Sequence, residues 1–271
     1  MHETQPTMQS LSDAVDPARA QAMFAALGMD RGVPAVGDAL PPFFHQLYFW
    51  DARPPTALGR DGHPRVGTGG IIPDMGLPRR MWAGGRLEFH VPFRAGIQAV
   101  RTTTVENTVR KQGKSGPLAF VTLRHDICQG TTPVVSEYQD LVYREDPDSA
   151  APPPATRPAP EGEETCDLRG FDATLLFRYS ALTFNGHRIH YDLDYCRNVE
   201  GYSGLVVHGP LLAQLLMLKG EAEIGALASF SFKATAPLVH SERAAFCRKG
   251  HSLWVRGPDG RLCMEAQATP A

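Results

Sequence analysis

The chain of 271 residues carries almost no excess charge, with 27 Lys and Arg against 29 Asp and Glu. Without a broad basic surface it lacks the electrostatic footing that nucleic acid or an anionic membrane demands, so the expected partner is a small molecule. Cysteine is also scarce. Cys128, Cys166, Cys196, Cys247 and Cys263 are odd in number and never spaced C-x-x-C, which argues against a disulfide framework and a thiolate metal site and fits a reducing cytosol. No apolar run approaches the length of a bilayer span, and the start MHETQPTMQSLSDAV has no basic segment leading into an apolar one. The expectation is a cytoplasmic protein. A Walker-type phosphate loop and a G-x-S-x-G elbow are absent too, which leaves those chemistries without support.

What is present is 42% hydrophobic residues, enough to bury one large core or two small ones. The stretch REDPDSAAPPPATRPAPEGEE, residues 144–164, is dominated by Pro, Ala and acidic residues and reads as an extended linker. It divides the chain into a first unit, 1–147, and a second, 165–271, with 148–164 between them. The first unit opens with a helix at DPARAQAMFAALGM, passes through PPFFHQLYFWD and turns Gly- and Pro-rich from Pro54 to Gly85. Four strands follow: GRLEFHVPF, AVRTTTVENTVRKQ, PLAFVTLRHDICQ and PVVSEYQDLVYRE. In the second unit GPLLAQLLMLKGEAEIG is apolar nearly all round from Leu211 to Leu218, as a helix wrapped by a sheet should be. Strands SFSFKATAPL, RAAFCRKG, HSLWVRGPDG and RLCMEAQAT come after it, with GPDG as a hairpin turn. RLEFHVPFRAG and SFSFKATAPLV match one another, each alternating until a proline that implies a strand break or an edge position. A helix followed by a curved antiparallel sheet, twice over, is an α+β double hotdog.

The densest chemistry lies in FNGHRIHYD, residues 184–192, behind the apolar run ATLLFRYSAL that reads as core. His187 and His190 are three apart and could share a helical face, but no third ligand is evident and Asn185-Gly186 opposes a helix, so no metal is expected. Asn-Gly is a common turn pair, and a turn and a catalytic loop both remain open here. LGRDGHP reads as a turn, because Asp-Gly and His-Pro both favour chain reversal.

FNGHRIHYD followed by EGYSGLVVHGPLLAQLL resembles the hydratase motif and hotdog helix of MaoC-like enoyl-thioester hydratases and dehydratases. LGRDGHPRVG, LPRRMWAGGRLEFHVPFRAG and KSGPLAFVTLRHDI are similar to the first half of one branch of that family. The branch comprises mesaconyl-C4-CoA (3-methylfumaryl-CoA) hydratase, itaconyl-CoA hydratase and type 2 hydroxyacyl-thioester dehydratase. The similarity runs from Leu58 to Ala271. The wider family's motif is Asp-x-Asn-Pro-(aliphatic)-His, of which only Ile189 and His190 are retained; Asn185 stands at the aspartate, His187 at the asparagine and Arg188 at the proline.

The resemblance implies water addition to an unsaturated acyl-CoA, with mesaconyl-C4-CoA or itaconyl-CoA yielding citramalyl-CoA. His190 is then the candidate base, since an imidazole titrates near neutrality, while Asn185 can orient water but cannot take its proton. Asp192 is a possible stand-in for the missing aspartate. Gly209, just before Pro210 at the start of the long helix, offers its backbone NH to the thioester oxygen. Arg188 could pair a substrate carboxylate or simply Asp192, and Arg79 and Arg80 are the alternatives. His187 is placed with the substrate-binding residues, and His208 either lines the pocket or packs beneath the helix start. Lys111, Lys114, Arg248 and Lys249 are candidates for the CoA phosphates. No cofactor is expected beyond the CoA of the substrate, and association of hotdog sheets into a homo-oligomer is possible. Alternatives are an (R)-specific enoyl-thioester hydratase or 3-hydroxyacyl-thioester dehydratase of broader chain length, a hotdog thioesterase and an acyl-CoA binding module.

Overall fold

A computed structural model describes residues 7–66, 70–113, 116–146 and 155–271. The first unit holds β1 (Met8–Asp13), α1 (Pro17–Leu27), β2 (Arg79–Phe89), β3 (Ala99–Gly113), β4 (Gly116–Gln129) and β5 (Thr132–Arg144). Local chemistry sets the bounds of α1: the Asp16 carboxylate accepts from Ala18 N at 2.9 Å, Pro17 sits where no amide donor is needed, and Gly28 closes the helix at φ 70°. The second unit holds β6 (Thr165–Gly170), α2 (Ala173–Leu182), α3 (Leu193–Asn198), α4 (Gly209–Ile224), β7 (Leu227–Ala234), β8 (Arg243–Lys249), β9 (Ser252–Arg256) and β10 (Leu262–Pro270).

All ten strands form one antiparallel sheet in the order β1-β3-β4-β5-β2-β7-β10-β9-β8-β6. Read from either edge inward, each unit follows the same path: its first strand, third, fourth, fifth and then second. This is the expected double hotdog, with the two units meeting where β2 pairs β7, Gly85 opposite Phe232 and Leu87 opposite Phe230. The two segments matched in the sequence are therefore partners across the seam. Their prolines, Pro92 and Pro237, lie beyond the last strand residues, Phe89 and Ala234, so they do break the strands. The edge reading is wrong. Because neither proline removes an amide from a ladder, β2 and β7 sit at the centre of the sheet, each paired on both sides.

β1 and β6, absent from the sequence reading, are the sheet's two edges, and their side chains are largely exposed. The long helix α4 packs on β2, β7, β8, β9 and β10, burying Leu211, Leu212, Ala213, Leu215, Leu216 and Met217. Residues of both units share that core, from Phe24, Phe43 and Leu87 to Leu216 and Phe230. The run ATLLFRYSAL, read as core from its composition, is not wholly so. It is α2, which buries Leu176, Tyr179 and Ser180 and leaves Phe177 63% exposed. Of the stretch read as a linker, residues 147–154 lie outside the described residues. Residues 155–164 run beside the second unit's sheet, where Leu262 N donates to Arg157 O at 2.8 Å and Glu164 N to Arg248 O at 2.8 Å.

Candidate active site

α2 delivers the motif loop. The Asp172 carboxylate accepts from Leu175 N at 2.7 Å and starts the helix; after Leu182 the chain turns through Phe184, at φ 52°, whose ring stacks on Trp50 with centroids 4.9 Å apart. Asn185 Oδ1 then accepts from His187 N at 3.0 Å, so the Asn-Gly pair does make a side-chain-closed turn. A 3-10 turn over Arg188–His190 points His190 inward, where it is buried.

The loop is clamped against the first unit. Arg188 N donates to Asp61 O at 2.9 Å, and Gly62, at φ 87°, lies so close to the loop that a Cβ on it would meet Gly186 O at 2.0 Å. A Cβ on Gly186 would in turn meet Gly62 O at 2.8 Å. The pair of glycines lets two backbones approach where side chains would not fit. LGRDGHP is a turn, as read, but one that presses Asp61 and His63 against the motif.

Four imidazoles follow in contact. Ring centroids are 4.4 Å apart for His63 and His187, 5.4 Å for His187 and His190, and 3.6 Å for His190 and His208, the last pair stacked at 20°. His190 Nδ1 lies 2.8 Å from Val206 O, a carbonyl that can only accept, so Nδ1 carries the proton and Nε2 an available lone pair. Burial holds its pKa down at about 3. His208 is fully buried, with Nε2 2.8 Å from Ser180 Oγ and no partner for Nδ1 among the described residues; burial drives its pKa well below the ordinary value. It packs behind His190 rather than in the cleft. His187 is likewise held down, by burial first and then by its neighbours His63 and His190.

His63 Nδ1 lies 2.9 Å from Asp61 Oδ2, and His63 N donates to Asp61 Oδ1 at 3.1 Å. Burial works to raise the Asp61 pKa, but its bonds and charge attraction with His63 and the charge of Arg80 win, and the carboxyl stays ionised far below the usual range. Burial and Arg80 together lower His63 to about 4 against the upward pull of Asp61. His63 is therefore neutral at pH 7, with its proton on Nδ1 and its lone pair on Nε2. Donor atoms of Asp61, His63 and His187 come within 4.8 Å of one another, close enough to hold a cation; the contact that closes the trio here is the Asp61–His63 hydrogen bond.

A cleft of about 530 Å³ opens between the units, walled by His63, Trp82 and Gln139 from the first and Tyr179, Asn185 and Pro210 from the second. Of the four histidines His63 alone is among its lining residues; His190 is buried. Pro210 brings the start of α4 to the cleft wall. The Gly209 NH, at the first residue of that helix, donates none of the hydrogen bonds found among the described residues, and the His208 side chain does not cap it. The first turn of α4 thus lies at the cleft wall with an amide that has no partner among the described residues.

The arginines divide clearly. Arg188 places Nε and one terminal nitrogen 3.0 and 2.7 Å from Asp192 Oδ2, gives the other to Arg60 O at 3.2 Å, lies over the Tyr195 ring and is 40% exposed. Its fork is occupied. Asp192 is occupied as well, since its other oxygen accepts from Tyr195 N at 2.9 Å to start α3; it braces the loop instead of reaching His190. Arg79 is buried in an ion pair with Glu200 at 2.6 Å and donates to Tyr202 Oη. Arg80 has no carboxylate bonded to it among the described residues, yet its charge bears on Asp61, His63 and His187. Among the basic residues considered for CoA, Arg248 is held by Glu164 and Glu223, Lys111 lies over Phe120, and Lys114 falls outside the described residues. Asp61 and His63 were missed as site residues; the available signal was a carboxylate and an imidazole two residues apart inside a segment that shared the family likeness.

Two copies of one strand path, wrapped on a long helix and joined edge to edge, define the double hotdog class. A Mycobacterium tuberculosis protein described as having a double hotdog fold matches with a TM-score of 0.61 at 15% identity, covering 98% of this chain and 96% of that one. HtdX of the same organism matches with a TM-score of 0.66 at 15% identity, covering 97% and 100%. Sequence narrows the class, because residues 43–240 match the family of type 2 hydroxyacyl-thioester dehydratases. Over 266 residues the chain is 41% identical to mesaconyl-C4-CoA hydratase of Chloroflexus aurantiacus, covering 95% of this chain and 93% of that one. The chain belongs to the type 2 hydroxyacyl-thioester dehydratase family.

Proposed function

We propose that the protein is a cytoplasmic CoA-thioester hydratase that adds water to mesaconyl-C4-CoA to form citramalyl-CoA. The observation that carries the reaction type is the tautomer of His190: Val206 O fixes the proton on Nδ1 and leaves the Nε2 lone pair free to act as a base. The substrate follows from the 41% identity to a hydratase of that name and from Arg80, a cation beside the imidazoles with no carboxylate bonded to it among the described residues. The cytoplasmic placement accords with five unpaired cysteines.

In this reaction the water oxygen bonds to the β-carbon while one of its protons passes to His190 Nε2. The alkene electrons move toward the thioester, whose oxygen gains negative charge and is met by the Gly209 NH at the positive end of α4. The imidazolium then gives its proton to the α-carbon, the carbonyl reforms and His190 is neutral again. Burial that depresses the His190 pKa keeps the imidazole neutral at pH 7 and makes the imidazolium a ready donor for that last step, at the expense of its strength as the base in the first. Asn185 shapes the loop through its bond to His187 N and adds its amide to the cleft wall. The free carboxylate of the acyl group, which must be paired once buried, goes to Arg80, because the Arg188 fork is already closed by Asp192.

The test is a mass-spectrometric assay with mesaconyl-C4-CoA, itaconyl-CoA and crotonyl-CoA. The expected result is gain of one water, fastest with mesaconyl-C4-CoA. Release of free CoA without water addition would make the protein a thioesterase, and preference for crotonyl-CoA would make it a general enoyl-thioester hydratase.

A further inference from the structure

Asn185 Oδ1 already accepts from the His187 amide, so it is not turned to hold the nucleophilic water beside His190. We propose that the first unit supplies the acceptor: His63, held by Asp61, accepts the second O–H of the water whose first proton goes to His190. This rests on the hydratase reading and names a further catalytic residue for it.

Three observations converge. First, His63 is the one of the four histidines among the residues lining the cleft, which Asn185 lines too, and its side chain is partly exposed. Second, its orientation is fixed twice by one carboxylate, through backbone and ring, and the ring bond places the proton on Nδ1. An ionised carboxylate behind an imidazole enriches the electron density at Nε2 and steadies any positive charge that grows there. Third, the position of His63 relative to His190 is built in. The Asp61 carbonyl receives the Arg188 amide, Gly62 and Gly186 touch backbone to backbone, and the His63 and His190 rings both contact His187. Asn185 is less suited to the task, since its Oδ1 is already turned to the His187 amide. The chemistry balances without a further reactant: one water proton goes to His190 and on to the α-carbon, while the other stays with the new hydroxyl, polarised by His63 Nε2 during attack.

The experiment measures kcat and KM separately for mesaconyl-C4-CoA hydration, with Tm, for the parent and for His63→Leu, His63→Gln and Asp61→Asn. Loss of the acceptor should lower kcat of His63→Leu on the order of a hundredfold with KM little changed. Glutamine keeps an acceptor oxygen, so His63→Gln should recover about tenfold of that loss, and Asp61→Asn should fall about tenfold below the parent. A residue that only packs would favour Leu over Gln. Parental kcat in His63→Leu, equal loss in Leu and Gln, or an effect confined to KM would overturn the proposal. Should His63→Leu fail to fold, Asp61→Asn decides, and parental kcat there overturns it too. A parent that adds no water sinks the hydratase reading and this one together; an active parent with unaffected variants sinks this one alone.

Discussion

His190 and Arg80 carry the predictions at the scale of single residues. Replacing His190 by Gln removes the base while keeping a polar side chain of similar reach. Turnover should fall on the order of a hundredfold or more with Tm near that of the parent, and a folded variant with normal kcat would remove His190 from the mechanism. Arg80→Met should weaken kcat/KM for mesaconyl-C4-CoA by roughly 2 to 5 kcal/mol while sparing crotonyl-CoA, which brings no second carboxylate. Arg188→Met should depress both substrates alike, because that guanidinium braces Asp192 and Arg60 O. Equal selectivity ratios in the parent and Arg80→Met would discard the assignment. Asn185 and His190 could be singled out because they lie within one nine-residue stretch, and Gly209 because it precedes a proline at a helix start. Asp61 and His63 could not, since their meaning depends on a backbone contact with the distant residues Gly186 and Arg188. Nor could residue type reveal that Asp192 closes the Arg188 fork.

At the scale of elements, the turn that bears Asp61 and His63 is as specific a part of the site as the motif loop. Gly62→Ala puts a methyl group into Gly186 O and forces a positive φ on a residue that resists it. The expected result is a loss of more than about 1 kcal/mol of stability, read as a lower denaturant midpoint, together with a loss of kcat as the two loops part. Unchanged kcat and midpoint would show that the clamp is dispensable. The strands from β2 to β5 and from β7 to β10 could be read from alternating, β-branched or apolar runs, though β2 begins at Arg79, inside the stretch read as Gly- and Pro-rich, and α4 from an apolar surface that only a wrapped helix tolerates. β1 and β6 escaped because edge strands that bury little show no clean period of two. α2 was taken for core because its sequence is apolar, yet Phe177 faces outward at the cleft. Apolar residues at a substrate entrance and apolar residues in a core look the same in a sequence.

The whole molecule has a pH dependence that follows from its buried imidazoles. His63, His125 and His190 are lowered to about 4, 4 and 3, chiefly by burial, whereas in the unfolded chain each would take a proton near pH 6.5. Below pH 6.5 the unfolded state binds more protons than the folded one, so this contribution is complete above about pH 6.5 and declines as the pH falls toward the folded values. The decline approaches about 1.4 kcal/mol per pH unit for each ring. A urea midpoint that is flat between about pH 7.5 and 8.5 and clearly lower at pH 5 is the expected outcome; equal midpoints at pH 5 and pH 7.5 would contradict it. The fold class was legible at this scale because the chain repeats itself, but which strands would join the halves was not, as a proline near a strand end does not say on which side of the ladder it falls.

The join between the halves also sets which surfaces recognise one another. Gly84 on β2 lies so close to β7 that a Cβ on it would sit 2.6 Å from Phe232 O, while one on Gly85 would meet Tyr138 O of β5 at 2.7 Å and the Phe232 ring at 3.2 Å. β7, with the sequence LASFSFKA, has no glycine to offer in return. A second unit meeting another second unit in this register would set side chains where the first unit leaves space. The seam is thus a lock with unlike sides: the strand of the second unit fits the glycine gap of the first, and a copy of itself in that register would not.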